Sequence, residues 1–186
     1  NLVAHTALEL GSSEVRGDLS VEAEGAITQS GALSVAGAAE LSAGNNDITL
    51  DNQGNDFNGT VSVLSGQDVR LRNSEDMTLG TVVSSGIVDI ATLTGDLILS
   101  GNVMTTGSSI ILNAGETLAA GTSAGGNIVL TGSLSINTGQ EGRATFYTGS
   151  VGGSTGLNEW IGLGSGHFRY NSDESVSNYT LALGTG

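Results

Sequence analysis

Short triplets of apolar, variable and apolar residues recur along the whole chain, most of them after a glycine or an Asn/Asp-containing turn. Clear examples are Ile48-Thr49-Leu50, Val69-Arg70-Leu71 and Val88-Asp89-Ile90. This alternation in residues that favour extended backbone is typical of half-buried strands. No window carries a helical stripe of useful length. The pattern predicts an all-β chain built from very short strands.

The spacing of the triplets separates a solenoid from a sandwich. One set recurs in steps of 19, 21, 21, 19, 22 and 18 residues, at Leu8, Ile27, Ile48, Val69, Val88, Ile110 and Ile128. A second, looser track passes through Leu41, Val63, Leu79, Leu99, Leu118 and Leu134. A fixed period of about 20 residues indicates stacked coils. We therefore predict a parallel β-helix of roughly nine coils. Residues 1–142 would be repeat coils, and residues 143–186 aromatic-rich terminal coils or a cap of the same solenoid.

This register makes one specific contact prediction. Arg70 should lie directly over Asp89 and under Thr49 on an outer face, within ion-pair reach of the carboxylate. An exposed pair of this kind contributes about 0–1 kcal/mol.

Proline is absent and 30 residues are glycine. Proline would delete a hydrogen bond from a ladder in which nearly every amide is used. Glycine is expected at the corners, where the chain turns within a few residues and often needs a positive φ. Both features fit stacked coils.

The charge balance restricts the partners. Five arginines and no lysine stand against 19 carboxylates, for a net charge of -14. Phosphate backbones and anionic membrane surfaces are therefore poor partners, and no apolar stretch is long and uninterrupted enough to span a bilayer. Without cysteine or lysine, and with only His5 and His167, thiol, Schiff-base and short-spaced histidine zinc chemistry are excluded. Neutral polymers, cationic surfaces or divalent ions remain.

The composition changes near residue 143. Six of the seven aromatic residues lie beyond it, namely Phe146, Tyr147, Trp160, Phe168, Tyr170 and Tyr179. These rings could close the end of the core, as terminal repeats often do. They could instead form an exposed platform for sugars, with Tyr147, Trp160, Tyr170 and Tyr179 as the binding residues. Burial decides between the two readings.

Catalytic and metal chemistry find little support. The pairs Glu75-Asp76 and Asp173-Glu174 are expected to be solvated turn carboxylates, because adjacent residues of a strand point to opposite faces. Ser165 near His167 lacks the glycines of a nucleophile elbow. We predict no catalytic residue, no metal site and no cofactor. Calcium stays open at the oxygen-rich turns of residues 45–47, 52–56 and 171–173.

Residues 25–63 and 142–186 resemble the repeat array, and the segment that closes it before small MBG/YDG-type domains, of filamentous-haemagglutinin-like adhesins. Gram-negative bacteria export this family by two-partner secretion. The resemblance implies a long right-handed parallel β-helix and adhesion to host surfaces, other cells or biofilm exopolysaccharide. It implies an extracellular or cell-surface location. It places no ligand on a numbered residue.

Three functional hypotheses follow. The first, which we favour, is a structural rod within a secreted adhesin, whose partners are other segments of that adhesin. The second is a module that binds exopolysaccharide or cell-surface glycan through the aromatic segment, and the third is a glycan-cleaving enzyme. An uncapped first coil would also expose unpaired backbone groups, which permits end-to-end stacking.

Overall fold

The chain forms a parallel β-solenoid, as the triplet spacing predicts. The computed structural model describes residues 1–122, 125–161 and 172–174. In these ranges the elements are β1 (Leu2–Ala4), β2 (Leu8–Leu10), β3 (Ser13–Val15), β4 (Leu19–Ala23), β5 (Ile27–Gln29), β6 (Leu33–Val35), β7 (Ala39–Ser42), β8 (Ile48–Leu50), β9 (Asp56–Phe57), β10 (Thr60–Ser65), β11 (Val69–Asn73), β12 (Met77–Ser84), β13 (Val88–Thr92), β14 (Leu97–Leu99), β15 (Val103–Thr105), β16 (Ser109–Ala114), β17 (Ile128–Leu130), β18 (Ile136–Asn137), β19 (Arg143–Tyr147) and α1 (Leu157–Ile161).

The strands stack into three parallel sheets. A seven-stranded sheet has the order β19-β16-β13-β11-β8-β5-β2, and a three-stranded sheet has the order β3-β6-β9. A nine-stranded sheet runs β1-β4-β7-β10-β12-β14-β17, with β15 beside β12 and β18 beside β15. The described residues therefore build seven levels in the seven-stranded sheet. This is fewer than the roughly nine coils that the sequence period predicts.

The predicted register of the first track is confirmed from Leu8 to Ile110. Each of its members is paired with the next one along the chain. The last predicted step is wrong. Ile110 pairs with Ala144, and Ile128 pairs with Leu97 in the nine-stranded sheet. The described residues 115–122 and 125–127 belong to a long loop between β16 and β17, so one level takes many more residues than the sequence period allows.

The second track is correct only in parts. Leu41 pairs with Val63, and Leu79 pairs with Leu99. Val63 pairs with Val82 instead of Leu79, because the register shifts between Val61 and Val63. At this irregularity β12 pairs its first half with β14 and its second half with β15.

The end of the second track is also wrong. Leu99 pairs with Leu130, whereas Leu118 lies in the long loop and Leu134 precedes β18. The long loop again explains the departure, since it places the next strand further along the chain.

The core is a set of aliphatic ladders inside the coils. Alternating residues of most strands from β4 to β16 are buried, and the residues between them are partly or fully exposed. In the seven-stranded sheet the ladder Leu50, Leu71, Ile90 and Leu112 is fully buried. Burial of this apolar surface drives the stacking, while the ladders of backbone hydrogen bonds fix its direction.

Glycine occupies corners mainly because backbones approach closely there. A Cβ on Gly59 would overlap the carbonyl group of Gly37 one coil below, and a Cβ on Gly107 would overlap that of Gly86. Positive φ is the minor cause, contrary to the sequence-based expectation. Among the described glycines it occurs at Gly44, Gly115, Gly121, Gly132 and Gly156.

Candidate functional site

The three described aromatic residues near the end of the stack, Phe146, Tyr147 and Trp160, do not share one face. Phe146 packs against the core, and its ring lies 6.3 Å from that of Trp160 at an angle of 46°. Trp160 is 38 % exposed. Tyr147 is half-buried and follows Phe146 on β19, so its side chain leaves the opposite face of the strand. Of the four predicted sugar-binding residues, Tyr170 and Tyr179 lie outside the described residues.

Tyr147 faces an acidic environment on the outer side of the seven-stranded sheet. Burial, and then the negative charges of Glu174 and Asp173, raise the pKa of its hydroxyl above the usual value. Asn113, the neighbour of Tyr147 across the sheet, donates a hydrogen bond of 2.6 Å from Nδ2 to Oε1 of Glu174. Asp173 accepts one at 3.2 Å from the backbone N–H of Ala120. The segment of residues 172–174 is thus fastened to the sheet through Glu174 and to the long loop through Asp173.

The other predicted carboxylate pair also serves the fold. Asp76 accepts a hydrogen bond of 2.7 Å from the backbone N–H of Asp96 in the following coil, and Glu75 is exposed beside it. Ser165 and His167 lie outside the described residues. Within those residues, no group of three or more histidine, cysteine, aspartate or glutamate side chains is arranged to hold a metal ion.

Corner carboxylates and amides repeat the device seen at Asp76. A side-chain oxygen at a corner accepts a hydrogen bond of 2.7–3.2 Å from the backbone N–H of a residue in the next coil. The acceptors and their donors are Asp18 and Ala38, Asp47 and Asp68, Asp68 and Ile87, Asp96 and Asn127, and Asn102 and Ser135. Hydrogen bonds to an ionised acceptor are stronger than those between neutral groups. Several of the chain's carboxylates therefore bond one coil to the next.

The asparagine side chains of the oxygen-rich turns form hydrogen bonds to other groups of the protein. Asn55 is fully buried and donates to the carbonyls of Leu50 and Arg72, while its Oδ1 accepts from the backbone N–H of Leu33 and from Gln29. Asn46 donates to two backbone carbonyls. These contacts make the turns of residues 45–47 and 52–56 connectors between coils.

Arg70 and Asp89 form the ion pair that the register predicts. Nε of Arg70 donates to Oδ2 of Asp89 at 3.1 Å, and the two residues are paired in neighbouring strands with Thr49 on the other side of Arg70. A longer contact of 3.8 Å joins Arg70 to Asp51. The arginine side chain is 53 % exposed, so the pair lies at the surface.

A second arginine, Arg72, is buried at this face and sequence reasoning missed it. Its guanidinium donates twice to the carboxylate of Glu116 at 2.7 Å and lies 2.9 Å from Oδ1 of Asp89. It also donates to the carbonyls of Leu71 and Asp89. Only 5 % of its side chain is exposed. We call Asp51, Arg70, Asp89, Arg72 and Glu116 the charge cluster.

The charge cluster holds the long loop against the sheet. Burial lowers the pKa of the Arg72 guanidinium, but the hydrogen bonds to Glu116 and the charge of Asp89 outweigh it, so the pKa lies above its ordinary value. Arg72 is paired with Ala91, which is paired with Asn113. The small Ala91 leaves room for the arginine to reach Glu116, which lies 44 residues further along the chain. A residue at an outward position becomes buried because the loop covers it.

Comparison with known proteins identifies a repeat family over the first part of the chain. A family described as repeats of unknown function (DUF5649) matches residues 1–64, about a third of the length. These residues contain the first three coils and most of β10. The search of curated proteins and the search of solved structures found no match. Within the described residues, no helix has the length and apolar character needed to cross a membrane.

Proposed function

We propose that this repeat β-solenoid is a structural rod segment of a large secreted bacterial adhesin. The observation that supports the proposal is that its described polar side chains form hydrogen bonds and ion pairs with other parts of the same solenoid. Corner carboxylates, buried amides and the charge cluster bond one coil to another, and the described carboxylate pairs do the same. Polar contacts of this kind stabilise the stacked shape of the solenoid. It suits a spacer that holds other domains of the adhesin away from the cell.

The physical properties of the stack fit that role. Each level adds about 4.8 Å of length with the same hydrogen bonds and the same core, so length can grow without a new fold. A net charge of -14 keeps an extended surface soluble and opposes association with other acidic chains. An outer-surface location on a Gram-negative cell belongs to the same proposal and is supported by the resemblance of residues 25–63 and 142–186.

A carbohydrate-binding module is the second candidate, and one observation favours it. Trp160 is 38 % exposed beside Phe146, so part of an aromatic face is open to solvent near the end of the stack. Its partner would be an exopolysaccharide or a cell-surface glycan. The third candidate, a glycan-cleaving enzyme, has less support, since Asp173, Glu174 and Asp76 accept hydrogen bonds from the fold itself.

A glycan array and an exopolysaccharide pull-down separate the rod from the binding module. The intact chain is compared with Trp160→Ala and Tyr147→Ala, and with Trp160→Phe and Tyr147→Phe as variants that keep an aromatic ring. The rod proposal expects no binding above background by any of them. Binding by the intact chain that survives the phenylalanine changes and is lost in the alanine variants would establish the module instead.

The spacer role has its own test. The whole chain is placed between an outer-membrane anchor and a peptide-binding domain on a bacterial surface, and attachment of the cells to peptide-coated beads is counted. A Gly/Ser linker with the same number of residues is the control. We expect more attachment with the solenoid, because a flexible linker spends much of its time collapsed. Equal attachment would count against a rod.

A further inference from the structure

One corner of the solenoid joins an asparagine directly to a glycine. Asn58 and Gly59 form the bend between β9 and β10, and the pair Asn-Gly occurs nowhere else in the sequence. Asn58 is exposed and Gly59 is half-buried. The backbone nitrogen that follows an asparagine can attack the side-chain amide, and glycine hinders that attack least because it has no Cβ. This corner therefore places two groups that can react with each other at the surface.

The side chain of Asn58 is free, unlike most asparagine side chains of this protein. Among the described asparagines outside α1, only Asn45 and Asn58 have side chains without a hydrogen-bond partner, and both are exposed. The others form hydrogen bonds within the fold, namely Asn1, Asn46, Asn52, Asn55, Asn73, Asn102, Asn113, Asn127 and Asn137. The amide of Asn58 can therefore turn towards the next backbone nitrogen without breaking a hydrogen bond.

The backbone nitrogen of Gly59 is free as well. At the same corner one coil earlier, the N–H of Gly37 donates to the carbonyl of Gly17 at 3.0 Å. Within the described residues the N–H of Gly59 has no such acceptor. The ladder bond at this corner is made by the preceding residue, since the N–H of Asn58 donates to the carbonyl of Val35 at 2.9 Å. Attack by the Gly59 nitrogen thus requires no ladder bond to open.

Stacking of the coils requires glycine at position 59. A Cβ at this position would overlap the carbonyl group of Gly37 in the coil below. Backbone atoms cannot give way as the end of a flexible side chain can. The residue that favours the reaction is therefore also the residue that the fold needs.

We propose that Asn58 is a site of spontaneous deamidation in the folded solenoid. The nitrogen of Gly59 bonds to Cγ of Asn58, and the side-chain nitrogen leaves as ammonia with the proton of the Gly59 N–H. Water then opens the cyclic imide at either of its carbonyl groups. The product at position 58 is aspartate or isoaspartate. Either product adds one negative charge to the net charge of -14.

The isoaspartate product also lengthens the backbone at this corner by one methylene group. In the described residues β9 has a partner strand on one side only, since it ends the sheet β3-β6-β9. On its other side, Oδ1 of Asn73 accepts the N–H of Phe57 at 2.7 Å. We expect the added length to weaken this contact and the bond from position 58 to Val35, so that β9 loosens before the longer strands do.

The test follows the full chain during incubation at mildly alkaline pH, below its unfolding temperature. Peptide mass spectrometry locates the conversion, and methylation by an isoaspartyl methyltransferase measures isoaspartate. We expect Asn58 to convert more than about tenfold faster than Asn45, which is also exposed and free but is followed by Asn46 instead of glycine. The variant Asn58→Gln keeps an amide on a longer side chain and should remain unconverted at this position.

Two outcomes would overturn the proposal. One is an Asn58 that stays intact in the folded chain but converts when the chain is unfolded in guanidinium chloride, because the fold would then block the reaction. The other is equal conversion of Asn45 and Asn58 in the folded chain. These measurements do not involve adhesion or glycan binding, so deamidation and the rod proposal can fail separately.

Amide hydrogen exchange tests the structural consequence. The incubated chain is compared with incubated Asn58→Gln, and the amides of β11 report that the rest of the solenoid is folded. We expect faster exchange at Phe57 and at position 58 in the fraction that contains isoaspartate. Unchanged exchange at both positions in that fraction would overturn the predicted loosening of β9.

Discussion

The coils up to β16 and the level that follows them stack through the same parallel strand pairing. They differ in the number of residues that each level contains. From Leu8 to Ile110, successive strands of the seven-stranded sheet are 19 to 22 residues apart. The next partner of Ile110 is Ala144. The rise per level is fixed by the backbone hydrogen bonds, but the chain length per level is not. Extra residues leave the coil as a loop, and that loop needs anchors of its own.

Packing differs between the two regions in the same way. Inward residues such as Leu79 and Ile90 are fully buried, whereas Leu134, Ile136 and Phe146 are only partly buried against the core. The regular coils are held by aliphatic ladders. The later level depends more on polar anchors, namely Arg72 with Glu116, Asp96 with Asn127 and Asn113 with Glu174.

The largest predicted effect tests the aliphatic ladders. Leu79→Ala should lower the free energy of unfolding by about 3–4 kcal/mol, because a fully buried leucine leaves a cavity between two coils. Leu134→Ala should cost about 1 kcal/mol, since this leucine is only partly buried. Urea denaturation followed by circular dichroism measures both. Equal losses at the two sites would remove the contrast between the regions.

The next prediction uses the two arginines that share Asp89. Arg72→Met should cost about 2–3 kcal/mol, because it leaves Glu116 without its partner in a covered site and removes one of the two arginines that contact Asp89. Arg70→Met should cost less than about 1 kcal/mol, since that pair is exposed. Arg72→Lys should fall between them, because lysine keeps the charge and loses the paired hydrogen bonds to Glu116.

The site at which Arg72→Met loosens the structure is as informative as the loss of stability. Hydrogen exchange in Arg72→Met should accelerate first in residues 115–122, the loop that Glu116 fastens. Acceleration spread evenly over β8, β11 and β13 would instead mean that Arg72 supports the coils in general and does not anchor the loop.

The regular coils could be predicted from sequence because one short-range rule governs them. An apolar residue at Leu8 implies one at Ile27 and at Ile48, since identical ladders demand identical positions. The same rule placed Arg70 over Asp89 at the observed 3.1 Å. The rule stopped working at Ile128, whose triplet looks like its predecessors but pairs with Leu97. Triplets that belong to different sheets have similar residues, so only their spacing along the chain shows which sheet each one joins. A long loop changes that spacing, and the sheet can then no longer be assigned from sequence.

The buried part of the charge cluster, Arg72 with Glu116, could not be predicted for a related reason. Arg72 occupies an outward position, where alternation predicts exposure, and its burial depends on a loop 44 residues away. The available signal was indirect. Ala91 is a small residue at the paired position, whereas the step of 18 residues from Ile110 to Ile128 gives no sign of the long loop. The described aromatic residues Phe146, Tyr147 and Trp160 lie near the end of the described stack, but strand alternation separates Tyr147 from Phe146 and Trp160.

A smaller effect is expected at the corner that joins the two regions. Asp96→Ala removes the acceptor for the backbone N–H of Asn127 at 2.7 Å and should cost about 1 kcal/mol. Asp96→Asn keeps an acceptor and should cost roughly half as much. Exchange of the Asn127 and Ile128 amides, read by nuclear magnetic resonance, should quicken in the alanine variant. If these amides stay protected, the corner carboxylate is not what fastens β17.

The smallest effect is a dependence of stability on alkaline pH, and it isolates the later level. Burial, with the charges of Glu174 and Asp173, raises the pKa of Tyr147 above its ordinary value of 10.0. The folded chain therefore holds this proton more tightly than the unfolded chain does. The resulting stability is complete below pH 10 and declines as the pH rises through the folded-state pKa.

The chain has no lysine or cysteine, so between pH 9 and 11 its three tyrosines are the side chains that titrate. Tyr147→Phe should reduce the fall in Tm between pH 9 and 11, and the absorbance of tyrosinate at high pH should show one late-titrating group fewer. A Tm profile identical to that of the unmodified chain would mean that Tyr147 is not held in the acidic environment that fastens residues 172–174 to the sheet.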